Sequence, residues 1–255
     1  TYSGGATSSS TVNTGANYVV SANFFTNDGS YFLGWSTDSG ATEADSAYAP
    51  GTTHTMPTSN VTLYAVWADK TALTLTANSD LTKVYNGNPQ SVSGFTGNVT
   101  GLTFEGTTTA GVTETNAGTY AATFSDKEGL IIKQNGTVVT DRYTVTWVEG
   151  TMTIAKKVVT VTANNRSMTY GNTATLTPAE GVSYSGFAGS DTSSVVNNTG
   201  SITYTYKNSA NATVTVDNTL AVGTYSIVPD VDNLTATNYT FTPANGTLTV
   251  TNATI

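Results

Sequence analysis

The sequence predicts a mainly β protein, made of small β-rich domains in an elongated tandem array. Three observations carry this. Apolar and polar residues alternate over short runs, the period-2 pattern of half-buried strands. Thr supplies about one in five of the 255 residues. Its branched β-carbon favours strands and its hydroxyl keeps the outer face wet. Asn-Gly dipeptides, which are strong turn formers, punctuate the runs at Asn86-Gly87, Asn135-Gly136 and Asn245-Gly246.

Residues 1–68 hold two apolar runs, Phe32-Leu33-Gly34-Trp35 and Val61-Thr62-Leu63-Tyr64-Ala65-Val66-Trp67. Between them His54 lies in the turn-like segment 51–57 and reads as an exposed loop residue. Alternating strands follow at 73–77, 159–163 and 202–206. No amphipathic helix exceeds about two turns. The best short candidate is 190–197, where Ser190 or Asp191 is placed to cap a helical turn. The joints Ala68-Asp69-Lys70 and Ala155-Lys156-Lys157 lack the Gly/Ser run of a flexible linker. A strand leaving one domain therefore enters the next almost at once, and the expected shape is a semi-rigid rod of about 100 Å.

The chain repeats itself, the signature of a domain array. Leu75-Thr76-Ala77-Asn78 matches Val161-Thr162-Ala163-Asn164, and Tyr85-Asn86-Gly87-Asn88 matches Tyr170-Gly171-Asn172 with one residue deleted. Ser93-Gly94-Phe95 matches Ser185-Gly186-Phe187, and Gly118-Thr119-Tyr120 matches Gly223-Thr224-Tyr225. Tyr143-Thr144-Val145-Thr146 with Gly150-Thr151-Met152-Thr153-Ile154 recurs as Tyr239-Thr240-Phe241-Thr242 with Gly246-Thr247-Leu248-Thr249-Val250. The expected domains are 1–68, 69–155 and 156–255, the last two being copies of one unit.

Composition narrows the function. A net charge of −8 and a pI near 4.4 argue against nucleic acid, which needs a basic face, and against anionic lipid. No Cys and one His exclude disulfides, thiolate chemistry and multi-His metal sites. No stretch approaches the roughly 18 apolar residues of a membrane span. The chain opens at Thr1 without Met or an apolar leader and stops after a strand-like run, so it is expected to be a piece of a longer protein.

Two family resemblances follow from these motifs. Tyr31 to Trp35 and Leu63 to Trp67 resemble the internalin-type B repeat, also called the Listeria–Bacteroides repeat, with Ser30 in place of the family's Gly. The resemblance implies a β-grasp-like domain of bacterial surface proteins, whose first strand would precede Tyr2. The two later copies resemble the MBG family of bacterial adhesin repeats. The third domain fits nearly throughout, including Asn238-Tyr239-Thr240. The second departs at Arg142, which replaces Asn, and at Glu149 before Gly150. This resemblance implies a strand-rich stalk or adhesive module and no catalytic residues.

Candidate chemistry is sparse. His54 lacks a nucleophile elbow, and the 17 acids are scattered over three small domains, so no enzyme is expected. Asp230-Val231-Asp232-Asn233 offers alternate oxygen ligands for Ca²⁺, but without the twelve-residue loop or a closing Glu, so no metal or cofactor is expected either. Trp35 and Trp67 read as core of the first domain. Trp147, Tyr184 and Tyr206 are the candidate ligand contacts, since sugar rings stack on exposed aromatics. Tyr204 and Tyr206 share a strand face with Ile202, which predicts one Tyr in the core and one at the rim. A Lys–Asn isopeptide link at Lys83 or Lys133, with Glu105 or Glu149 as catalyst, requires a buried lysine. The Asn-x-Thr/Ser sequons, such as Asn60-Val61-Thr62, are what this composition yields by chance. The expected function is that of a monomeric stalk or presentation module of a secreted or wall-attached bacterial adhesin, with a glycan or host surface protein as partner. The alternative is a carbohydrate-binding accessory region of a larger secreted enzyme.

Overall fold

The computed structural model describes residues 7–173, 181–198 and 201–253; the strand expected before Tyr2 lies outside them. The fold is mainly β, in several small sheets. Residues 7–69 form β1 (Asn17–Val19), β2 (Ser30–Ser36), β3 (Thr53–Thr55) and β4 (Tyr64–Asp69). The second repeat supplies β5 (Thr71–Ala77), β6 (Asp80–Val84), β7 (Gln90–Ser93), β8 (Phe95–Gly97), β9 (Leu102–Gly106) and β10 (Thr109–Glu114). It continues with β11 (Gly118–Ser125), β12 (Leu130–Gln134), β13 (Thr137–Val138), β14 (Tyr143–Val148) and β15 (Gly150–Ala155). The third repeat supplies β16 (Lys157–Ala163), β17 (Arg166–Thr169), β18 (Val182–Ser185), β19 (Asn197–Asn198) and β20 (Tyr204–Lys207). It ends with β21 (Thr213–Val214), β22 (Gly223–Pro229), β23 (Leu234–Thr235), β24 (Tyr239–Ala244) and β25 (Gly246–Thr251).

Two compact units divide these elements. The first takes Thr1–Thr76, Phe95–Thr109 and Phe124–Val148. In it β1 pairs with β3, and β2 with β4, both antiparallel. Trp35 and Val66 are buried, and Phe32 stands edge-on to both Trp35 (5.1 Å) and Trp67 (5.7 Å). The Trp35 indole N–H donates to the Ser21 carbonyl at 3.0 Å, so its burial leaves no polar group unsatisfied. Two three-stranded sheets, β14-β5-β8 and β13-β12-β9, enclose Leu73, Leu75, Leu130, Ile132 and Val139.

The second unit takes Ala77–Gly94, Ala110–Thr123 and Glu149–Ile255. It holds the five-stranded sheet β6-β15-β11-β10-β7 and the third repeat's sheets, β18-β16-β24, β17-β25-β22-β20-β21 and β19-β23. Met168, Ile227, Leu248 and Val250 form one core, and Val161, Ile202 and Leu234 another.

The two copies share one ladder logic. The first strand of each pairs parallel with the penultimate strand, Tyr143 opposite Thr71 and Tyr239 opposite Lys157. The second strand pairs parallel with the last, β6 with β15 and β17 with β25. The β6–β15 ladder carries an irregularity between Met152 and Ile154, where two steps on β15 span three on β6; β17–β25 has none. That extra β6 residue accounts for a one-residue drift between the copies.

Asn245-Gly246 is not the hairpin turn its dipeptide suggests. It is a one-residue break that carries the chain from the β16 sheet to the β22 sheet. Glycine is required there by close approach: a β-carbon on Gly246 would meet the Ala163 carbonyl oxygen at 2.3 Å, and one on Gly150 would meet that of Asn78 at 2.2 Å. The backbone N–H that follows each glycine is taken by a side chain of the partner strand's bend, Ser79 for Thr151 and Asn165 for Thr247.

Two further expectations are corrected. The short helical element is a 3-10 turn, Ser193–Val195, capped by Thr192, whose hydroxyl accepts from the Ser194 N–H. Ser190 and Asp191 do not cap it, and Asp191 is engaged elsewhere. Ile202 is buried but precedes β20 and lies outside any strand.

Candidate functional site

A group of aromatic and charged side chains converges where the second repeat hands over to the third. Within the second unit, β16 begins directly after β15. Lys156 reaches the Ala236 carbonyl at 2.7 Å through its ammonium, and the Lys157 N–H donates to the Asn238 carbonyl at 2.9 Å. From the second repeat, the end of β6 delivers Tyr85, whose N–H donates to Ala155 at 2.9 Å. From the third repeat, the start of β24 delivers Tyr239, and the loop after β18 delivers Phe187, Ala188 and Asp191.

These groups interlock. Asp191 accepts the hydroxyl of Tyr85 at 2.9 Å and of Tyr239 at 2.6 Å, and the Tyr239 oxygen accepts the Ala188 N–H at 3.0 Å. Tyr239 stands edge-on to Tyr85 (5.3 Å) and to Phe187 (5.2 Å). Tyr85 is 6% exposed and Tyr239 2%. One apolar cluster, with Tyr85, Met152, Ile154, Val159, Ala188 and Tyr239, runs through both repeats. Burial, then donation to Asp191, raises the Tyr85 phenol, and the same two causes push Tyr239 up to about 12. Beside them Asn238 accepts the Ala117 N–H at 2.8 Å and donates to the Asn116 side chain at 2.9 Å.

The first unit has its own handover, of different chemistry. Arg142, at the position of Asn238, sets its guanidinium over the Tyr31 ring, 5.6 Å from the centroid. Counting from the shared Ser-Gly-Phe places Val99 opposite Asp191. Arg142, one of the second repeat's departures, thus meets its upstream neighbour, while Val99 packs against the repeat's own core. Where that neighbour brings a phenol from a Tyr-Asn-Gly turn, the repeat carries Asp and Asn. Where the neighbour brings Tyr31, it carries Arg.

Of the residues singled out in the sequence, Tyr184 packs at the edge of this cluster, while Trp147 and Tyr206 belong to other clusters. Trp147 is half-buried on β14, edge-on to Phe124 at 4.8 Å and under the Lys127 ammonium at 5.7 Å. Tyr184 is half-buried on β18 against Phe187, and Tyr206 half-buried on β20 against the Ile227 cluster. Burial raises the phenols of both. Tyr204 is half-buried like Tyr206. His54 is corrected: it lies on β3, half-buried, between the rings of Tyr48 (4.7 Å) and Tyr18 (5.6 Å). Its Nε2 lies 2.6 Å from the Ala47 carbonyl.

Asp230 accepts the Asp232 N–H at 3.0 Å, closing a turn. Lys133 pairs with Glu105 at 2.7 Å and Lys83 with Asp80 at 3.1 Å, each with a partly exposed side chain. A depression of about 420 Å³ is lined by Asn165, Arg166, Ser167, Thr247 and Thr249, and thus by no carboxylate.

Asp191, Tyr85, Asn238 and Arg142 were missed as a set. The available signal was the pair of places where two otherwise matched copies disagree, Asn238 against Arg142 and Asp191 against Val99.

No curated protein matches the chain. Among solved structures, the fibronectin(III)-like modules of Clostridium thermocellum CbhA align over 70% of this chain and 95% of that one, at 15% identity and a TM-score of 0.17. Family models match at both ends: the Listeria-Bacteroides repeat domain over residues 1–66, and the MBG domain, YGX type, over 159–249. The chain therefore carries a Listeria-Bacteroides repeat followed, in its third segment, by an MBG domain, module types typical of extracellular or surface proteins.

Proposed function

We propose that this chain is a stalk and presentation segment of a bacterial surface or secreted adhesin, monomeric and non-catalytic, with 69–155 a divergent MBG-like repeat. The observation that supports it is the handover between the second and third repeats. A shared apolar cluster, two phenols on one carboxylate and an Asn pair leave that joint few ways to bend. A segment that only had to connect two binding domains would do so with a Gly/Ser linker. The exposed aromatics point the same way. Among the described residues, Phe24 lies in the loop before β2, Tyr64 at the start of β4 and Tyr170 in the turn after β17, and not at alternate positions of one strand, the spacing of a row that a sugar chain stacks on. In this reading Trp147, Tyr184 and Tyr206 serve packing.

The absence of Cys makes the test direct. Nitroxide labels at Leu81→Cys on β6 and Thr205→Cys on β20 report the distance across the joint by pulsed EPR. A narrow distribution that broadens on Asp191→Asn is the expected result. A broad distribution in the unaltered joint refutes the stalk. Binding on a glycan array, abolished by Trp147→Ala or Tyr206→Ala, would replace it with the carbohydrate-binding reading.

A further inference from the structure

The second repeat ends on a covered face. Tyr85 is 6% exposed, a β-carbon on Gly87 would lie 3.6 Å from the backbone of Gly189, and the Ala117 N–H is held by Asn238. The third repeat builds the corresponding end from similar parts, its Tyr-Gly turn one residue shorter. The Tyr170 N–H donates to Thr251 at 2.9 Å, as that of Tyr85 does to Ala155. The Tyr225 hydroxyl donates to the Ala221 carbonyl at 2.9 Å, as that of Tyr120 does to Asn116 at 3.0 Å. Thr169 pairs with Thr251, and Gly223 with Val250, so the ends of β17 and β22 flank the end of β25. Here the parts are open. Tyr170 is 46% exposed, no atom of the described residues lies within 4 Å of a β-carbon placed on Gly171, and Val222, the counterpart of Ala117, is 49% exposed.

We propose that this end, Tyr170, Gly171 and the Val222 N–H, is a docking face for a further repeat of the same type, seated as the third repeat is seated on the second. The occupant is fixed by the chemistry already at work on the equivalent face. The Tyr170 phenol takes the place of Tyr85 beside a carboxylate equivalent to Asp191. The Gly171 turn admits the backbone equivalent to Ala188 and Gly189. The Val222 N–H meets an amide equivalent to Asn238. Ala221 stands where Asn116 stands, so one of the two Asn238 bonds is not repeated. Thr251 ends its strand where Ala155 does, so a copy joined at the next residue enters with the same reach. The proposal deepens the stalk reading and rests on it only for the use of the face; docking itself is tested separately.

The test appends a second copy of residues 156–251 directly after Thr251 of the chain, so that its Lys156 follows Thr251 as it follows Ala155. In the unextended chain, Tyr170→Phe and Val222→Arg leave the unfolding midpoint unchanged. In the extended chain each lowers it, as does Asp191→Asn made in the appended copy alone. Tyr170→Phe with that Asp191→Asn then gives a double-mutant coupling of at least about tenfold in the unfolding constant, the scale of a hydrogen bond to a charged group. The alkaline difference spectrum between the extended chain and its Tyr170→Phe variant shifts to higher pH than in the unextended chain. Additive substitutions, an unshifted Tyr170 spectrum, or an appended copy that melts independently of the third repeat overturns the proposal. None of these outcomes touches the joint between the second and third repeats, so the stalk reading stands or falls on the EPR distances.

Discussion

Asp191 receives a phenol from each of two repeats, and its worth is measurable. A hydrogen bond to a charged group contributes about 1.5–3 kcal/mol net, so Tyr85→Phe and Asp191→Asn should each destabilise the second unit by that order in urea unfolding. Together they should cost less than their sum, because the Tyr85–Asp191 bond is lost in both. The tyrosines also set a pH limit. Their folded pKa values lie above the unfolded value near 10, with Tyr239 at about 12. Above pH 10 the unfolded chain sheds protons that the folded chain keeps, which favours unfolding. Their contribution should be complete below pH 10 and lost as pH rises towards 12. Equilibrium unfolding from pH 8 to 12 checks this, and Asp191→Asn should move the loss to lower pH. None of this was legible in Asp191 itself, which as a sequence letter reads as a helix cap. It acquires its role from residues 106 and 48 positions away.

At the scale of single elements, strands such as β5 and β16 are legible because one face is buried and the other is threonine, which makes the period-2 pattern strict. β3 is not: His54 looks like a loop residue because its flanking threonines carry no apolar signal, and its partial burial comes from the rings of Tyr48, across a 3-10 turn, and of Tyr18, on another strand. Asn245-Gly246 misleads for a related reason. The glycine answers to a carbonyl on another strand and not to a turn angle. β2 is legible through its tryptophan. Trp35 is 7% exposed with its indole N–H bonded, so Trp35→Ala should cost about 3–5 kcal/mol. That approaches the whole stability of a small domain. Proteolysis of this variant should remove residues 1–68 and spare the third repeat; a variant as resistant as the parent would put Trp35 outside the core.

For the molecule as a whole, the repeats are legible and their mutual dependence is not, because a shared core leaves no periodic mark. The cluster that includes Val159 and Tyr239 also includes Tyr85, Met152 and Ile154. Residues 156–255 expressed alone should still unfold cooperatively, since they contain a full set of ladders. They should do so at a lower temperature than in the intact chain, because Tyr239 loses the ring of Tyr85 and Asp191 its hydroxyl. Calorimetry of fragment and parent measures the gap. A fragment without a transition places the boundary elsewhere than Lys156.

The parallel ladders bear on mechanical load. A pull on the third repeat through its two ends draws β16 backwards from Lys157 and β25 forwards through Thr251. β16 lies parallel to β24, and β25 parallel to β17, so tension runs along the strands and loads their hydrogen bonds together in shear. An antiparallel terminal hairpin would instead open one bond at a time, like a zipper. The second repeat has the same parallel pairings, β5 with β14 and β6 with β15, the latter interrupted by its one-residue irregularity. Single-molecule stretching from Lys157 to Thr251 should therefore give one abrupt rupture, at higher force than pulling across the antiparallel β20–β22 pair of the same repeat.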